Sequence, residues 1–175
     1  MYENLRSSVA ITGEQFEAIV AGGLFGAFQG GLILQLWNPD AIREIGATVG
    51  MASLNGGWLA LFGYGILLGI PFVAFVSGSV NAFVNKVIML SSQSTVLQKL
   101  LVPLLSRSAL GVTLFALGQG YGIVVGLMFW SLFVPGWLAI LGYPTATPLV
   151  DPIALFSWAT YGGMMGLVYG LVREK

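Results

Sequence analysis

Four stretches of this chain, from about Gln15 to Trp37, Ala52 to Ser77, Ala109 to Val134 and Pro152 to Val172, are long and apolar enough to cross a lipid bilayer. The hydrocarbon core is about 30 Å thick, and a helix rising about 1.5 Å per residue needs roughly 20 apolar residues to traverse it. A backbone in hydrocarbon must satisfy its own N–H and C=O groups, so each stretch is expected to be helical. Charged residues make up 8% of the chain, against about a quarter in soluble domains, too few to cover a water-facing surface. Mean hydropathy is +0.88. The expected class is all-α: a polytopic membrane protein, one integral domain over residues 1–175, with four transmembrane helices and one or two interfacial amphipathic helices.

Local signals set the boundaries. Thr12 and Gln15 have capping-box spacing and should start the first helix. Asn38-Pro39-Asp40 should stop it, and a short helix is expected around Ala41 to Thr48. Pro71 falls inside the second span as an expected kink. The third span should end at Pro135-Gly136. Gly142 to Pro152 holds three prolines and reads as a stiff, extended strap. Between spans two and three, Val80, Phe83, Val84, Val87 and Ile88 recur at helical spacing, as do Leu97, Leu100, Leu101, Leu104 and Leu105. Both patterns read as amphipathic helices on the membrane surface. The alternative for the first is that span two continues to about Leu90. Residues Met1 to Gly13 lack the basic-then-apolar layout of a signal peptide, so the first span is expected to be retained.

Basic residues give an orientation. With four spans, both ends and the middle connection share one side, which carries Arg6, Lys86, Lys99, Arg107, Arg173 and Lys175. The other side carries only Arg43, beside Asp40 and Glu44. Positive residues are retained inside, so both termini are expected in the cytoplasm, and the location is the cell membrane. Trp37, Trp58, Trp130, Trp137 and Trp158 then all fall in the opposite half. The plain reading is a one-sided aromatic belt at the interface. The sharper one is an aromatic platform of Trp58, Trp130 and Trp158, able to hold a quinone, a carotenoid or a partner helix.

The chain has no histidine and no cysteine. That excludes disulfides, thiolate metal sites, iron–sulfur clusters and the usual axial ligand of haem or chlorophyll. It also removes the usual general base. No metal site and no obligatory cofactor are expected, although bound lipid, quinone or carotenoid is compatible with the composition. Net charge is zero, which gives nucleic acid no foothold. No nucleophile–base pair or phosphate loop is evident, so the chain is not expected to be an enzyme. The candidate polar residues within the membrane are Gln29, Gln119 and Glu17. The two glutamines read as interhelical hydrogen-bonding glue or as the lining of a polar path. Glu17 reads as an acid favoured near a helix N-terminus or as a proton or cation site.

Glycine recurs every four residues: Gly22, Gly26 and Gly30 in span one, Gly65 and Gly69 in span two, Gly118, Gly122 and Gly126 in span three, and Gly162, Gly166 and Gly170 in span four. Residues four apart share a helix face, so each span offers a groove where another helix can approach closely. Expected uses are packing within the bundle or between copies, or the lining of a narrow pore or flat-ligand site. Leu24 to Gly30 is similar to Leu114 to Gly120, and Trp58 with Tyr64-Gly65 is similar to Trp158 with Tyr161-Gly162. A parallel duplication of a two-helix unit would account for both.

Gly56-Gly57-Trp58-Leu59, Gly120-Tyr121-Gly122, Trp130, Pro135-Gly136-Trp137-Leu138, Gly142-Tyr143-Pro144 and Tyr161-Gly162-Gly163-Met164-Met165-Gly166-Leu167-Val168-Tyr169 together resemble a family of small four-span membrane proteins. That family is frequent in haloarchaea and present in some bacteria, and its members often carry a histidine-kinase label. The likeness is best over residues 110–172. Members tend to have histidines near the positions of Ala60 or Leu61 and of Ala159; this chain has none there, so no ligand role is implied. The resemblance implies a fold and a membrane location, and nothing in the sequence resembles a kinase. The expected function is that of a non-catalytic accessory or structural subunit, packing through glycine-rich helix faces against membrane lipids and other subunits or copies of itself. The alternative is a small oligomeric channel or carrier for a small solute.

Overall fold

The computed structural model describes residues 12–93, 108–143 and 150–174. Among them the chain is helical, with no strand, and four helices are long and apolar enough to cross a membrane. The protein is a multi-pass membrane protein of all-α class.

Helix α1, Gly13–Trp37, starts on a complete capping box: the Thr12 hydroxyl accepts from the Gln15 N–H, and the Gln15 amide oxygen accepts from the Thr12 N–H. Asn38 ends it. The Asn38 N–H closes the last turn on the Leu34 carbonyl, and its side chain accepts from the Ala41 N–H to start α2, Pro39–Ala47. Pro39 occupies a first-turn position, where a missing N–H costs nothing. Helix α2 buries Ala41, Ile42 and Ile45 completely. It ends in a turn at Gly50, whose φ of 77° favours glycine.

Helix α3, Leu54–Gln93, is continuous for 40 residues, about 60 Å at an α-helical rise. Its apolar span is Leu54–Ser79. The separate surface helix expected over Val80 to Ile88 is therefore corrected: that segment continues the same helix beyond the apolar span. Ser77-Gly78-Ser79 contains no proline and no capping geometry to stop a helix, and the Ser77 hydroxyl simply donates back to the Val73 carbonyl at 2.8 Å. The second amphipathic pattern, Leu97 to Leu105, and most of the proline strap lie outside the described residues.

The third span is also longer than expected. Helix α4, Ala109–Val125, passes into a π-helical segment, Gly126–Phe133, and then into α5, Val134–Ile140. Pro135 does not end the span. The Val134 N–H bonds five residues back, to Phe129, and the wider π turn gives the proline ring room that an α turn lacks. The chain leaves the helix at Gly142, with φ 84°. Helix α6, Pro152–Arg173, is capped by Asp151, which accepts from the Ile153 N–H at 2.9 Å.

The spanning helices form a closed square. Helix α1 packs on α3 and α6, and α4 packs on the same two. Glycine sets the spacing. A Cβ on Gly118 would collide with the Gly162 carbonyl, and one on Gly122 with the Trp158 carbonyl. Reciprocally, Gly162 faces the Gly118 carbonyl, Gly166 faces that of Leu114, and Gly170 faces Gly111. Gly22, Gly26 and Gly30 lie on Met165, Tyr161 and Ser157 of α6. A second α1 register, Gly23 and Gly31, faces Gly65 and Trp58 of α3, and Gly69 faces Ile19. Each half of the square thus contains a glycine-on-glycine crossing, Gly23 with Gly65 and Gly118 with Gly162.

Candidate functional site

With the glycine faces turned inward, the remaining candidates are polar groups and aromatic rings. The bundle's interior is bridged by hydroxyls that reach backbone carbonyls on neighbouring helices. Tyr161 is 2% exposed and donates to the Gly65 carbonyl at 2.8 Å, crossing the bundle from α6 to α3. Ser157 donates to the Gly30 carbonyl at 2.7 Å. Tyr121 donates to the Leu68 carbonyl at 2.6 Å, one residue from the carbonyl that Pro71 cannot serve. These bonds tie helices together; they expose no reactive group.

The aromatic residues divide. Trp37 and Trp137 are exposed, as a belt requires, at 62% and 40%. Trp130 and Trp158 are not: they are 1% and 2% exposed and lie inside the bundle. The one-sided belt is corrected to that extent. The signal that places them was present in the sequence. Trp130 continues the register of Gly118, Gly122 and Gly126, and Trp158 precedes Gly162, Gly166 and Gly170 by the same step of four. Both indoles stand at the same end of the α4–α6 seam. Trp58 lies elsewhere, between Phe28 and Phe62 at ring distances of 6.2 and 5.5 Å, with its N–H on the Gln35 amide oxygen at 2.6 Å. Trp158 instead packs edge-on against Phe129 and Tyr161, at 5.5 and 5.4 Å. The three tryptophans do not share one face.

Trp130 and Trp158 have a further property. Neither indole N–H has a hydrogen-bond partner among the described residues, and both nitrogens are buried. An unmet buried donor costs roughly 1–3 kcal/mol.

Gln29 and Gln119 are not brought together, because α6 lies between α1 and the α4 span. Gln119 is exposed on the outside of the bundle, its stem lying against Gly163; Gln29 is half-buried. Neither amide makes a hydrogen bond to a described residue. Glu17 is exposed on the outside of α1, near its start.

Two apolar grooves mark the outer surface. One, of about 490 Å³, is lined by Ala21, Leu24, Phe25, Phe28 and Phe62. The other, of about 370 Å³, is lined by Ile33, Trp37, Pro152, Ile153 and Phe156. Their walls suit acyl or isoprenoid chains and present little to a polar ligand. Among the described residues, no cluster of acidic side chains is placed to hold a metal ion.

Charged groups gather at the two ends. At one, the Glu174 carboxylate accepts from the Leu110 N–H at 2.9 Å, so the end of α6 caps the start of α4. Hydrogen bonds from Ser108 first, then from the Leu110 and Gly111 N–H groups, hold that carboxyl below its ordinary range. Arg173 lies 3.7 Å from Glu14, so α1 begins where α6 ends. At the other end, the Asn38 amide donates to the Asp151 carboxylate, joining the α1–α2 elbow to the cap of α6. Asp40 pairs with Arg43. The Trp137 N–H donates to the Thr48 carbonyl at 3.0 Å, and the Thr48 hydroxyl lies 2.7 Å from that of Tyr64. Apart from the local Asp40–Arg43 pair, these links were not anticipated, since each joins residues well separated in the chain.

Half-buried Glu44 sits at this corner. Burial, then the charges of Asp40 and Asp151, push its carboxyl above the ordinary value of 4.5. The folded state therefore holds this proton more tightly than the unfolded state. That contribution to stability is present in acid and is lost as pH rises through the raised pKa. Glu44→Gln should melt higher than the parent at pH 7, and the difference should vanish below about pH 4. Thermal unfolding in micelles from pH 4 to 8 measures it; equal melting points throughout would mean that Glu44 is not strained by its neighbours.

Neither protein-family models, nor curated proteins, nor solved structures gave a match to this chain.

Proposed function

We propose that this chain is a non-catalytic membrane subunit that acts by lateral association, as an accessory or structural component of a larger assembly or of a homo-oligomer. The observation that carries this reading is Gln119. It lies nine residues into the span Leu110–Ile140, about 14 Å along the axis and so near mid-bilayer. Its side chain is exposed, with no hydrogen-bond partner among the described residues. Hydrocarbon offers neither donor nor acceptor, and leaving an amide there costs several kcal/mol. A neighbouring helix relieves that cost. Ala116 and Gly120 are exposed on the same side, and a Cβ on Gly120 would meet nothing, so another backbone can come close.

The glycine seams serve the bundle itself, so the docking face of this proposal is the outer side of α4. A two-fold axis along the membrane normal would bring Gln119 to its own copy at equal depth, where one amide donates and the other accepts. The six-to-one split of basic residues supports termini in the cytoplasm and a cell-membrane location. Membership of the four-span family that residues 110–172 resemble is part of this proposal.

Native mass spectrometry of protein released from its membrane tests the reading. The parent should appear as an oligomer or with partner chains. Gln119→Leu should weaken that association about tenfold, or ~1.4 kcal/mol, while the helical fold persists. A monomeric, partner-free parent, or association unchanged in Gln119→Leu, would refute it.

A second reading, a small channel or carrier, draws on the exposed positions of Gln119 and Glu17 and the half-buried position of Gln29. A polar path through these residues would run between copies rather than through one bundle. Gln29→Leu would then abolish solute flux into liposomes without altering assembly.

A further inference from the structure

We infer that the end of the α4–α6 seam marked by Trp130 and Trp158 is a binding site for a small neutral oxygen acceptor, occupied by water or by the carbonyl of a lipid-soluble molecule. Three observations converge. Both indoles are nine-tenths buried or more, and both N–H donors lack a partner among the described residues. They stand on facing helices in one seam: Gly126, which opens the π segment, lies under the Cβ of Trp158, and Trp130 sits one seam step further along. The backbone there departs from α geometry, and in the π register Pro135, having no N–H, cannot donate to the Trp130 carbonyl five residues back. Helical π segments are frequent at functional sites.

The chemistry of the donors restricts the occupant. An indole N–H donates and never accepts, so neither a cation nor a bare donor can satisfy it. The surrounding side chains are aromatic and uncharged: Phe129 and Tyr161 border Trp158, and Phe129 also meets Tyr64 and Phe133. No cation stands ready to balance an anion among those rings. A neutral oxygen satisfies the donors without bringing a charge into the core. Water is the smallest such group and routinely fills this role at buried polar positions. A quinone or ester carbonyl is the other source.

The test is indole ¹⁵N–¹H magnetic resonance on the full chain in deuterated micelles, where five tryptophans give five signals. Trp130→Phe and Trp158→Phe each delete one signal and so assign it; Trp37→Phe, Trp58→Phe and Trp137→Phe assign the other three, and so leave the buried pair identified, if a core variant fails to fold. The expected result is that both buried indoles resonate in the hydrogen-bonded range. Cross-relaxation to water identifies water as the occupant. Cross-peaks to non-protein protons that disappear on exhaustive delipidation identify an organic carbonyl. Either outcome supports the site. Two signals at the position of indole in hydrocarbon, with no cross-peak to anything but protein, would overturn it.

Discussion

Replacing Gly162 with valine should break the α4–α6 half of the bundle and cost about 4 kcal/mol or more, the range reserved for a core that cannot accommodate the change. The reason is geometric. A Cβ at Gly162 would collide with the Gly118 carbonyl and would lie 2.7 Å from the Gly122 nitrogen. Those are backbone atoms of a packed helix, and they cannot move aside as a side chain can. The reciprocal contact at Gly118 means that both helices would have to separate along their whole crossing. Dispersion between close backbones is the main attraction available to helices in lipid, so separation forfeits most of it. Gly63→Ala is the matched control: nothing lies near its Cβ, and loss of glycine flexibility should stabilise α3 by about 0.5–1 kcal/mol. Unfolding by SDS titration in mixed micelles, followed by circular dichroism, reads both. A Gly162→Val protein with the parent's midpoint would mean that the crossing is not where it is drawn.

Tyr161 carries the second large effect. Its ring lies over Gly26 and against Trp158, and its hydroxyl reaches Gly65, so one side chain touches three of the four spans. Tyr161→Ala should cost about 3–5 kcal/mol, as expected for emptying an aromatic site in a tight core. Tyr161→Phe keeps the ring and removes only the bond across the bundle, worth about 1 kcal/mol in a membrane interior. The same titration separates the two variants. If the phenylalanine protein fell as far as the alanine protein, the hydroxyl rather than the ring would be the fastening.

Much of this architecture could be read from the chain because it is encoded locally. The capping box at Thr12 and Gln15 and the Asn38-Pro39 elbow each involve residues within one turn, and the lengths of the apolar runs fix the class through bilayer thickness. The misreadings arose where local signals carry no information about neighbours. The Val80 to Ile88 pattern has the same period whether its helix is separate or continuous with α3. Pro135 reads as a stop because an α turn has no room for it, and the π turn that supplies the room has no sequence signature. Trp130 and Trp158 follow the belt preference of their residue type only until the glycine register is extended by one step, which turns them inward. The outward position of Gln119 depends on which face of α4 the α6 helix covers, and no single-helix pattern specifies that.

Helix α6 is made after α1 and α4, yet both lean on it: Gly22, Gly26 and Gly30 on one side, Gly118 and Gly122 on the other. Until it arrives, those bare stripes face lipid or a chaperone, and the Asn38 elbow lacks the carboxylate of Asp151. The ribosome must therefore release the chain as far as Arg173 before the square can close, and until then α1 and α4 expose self-adhesive glycine faces.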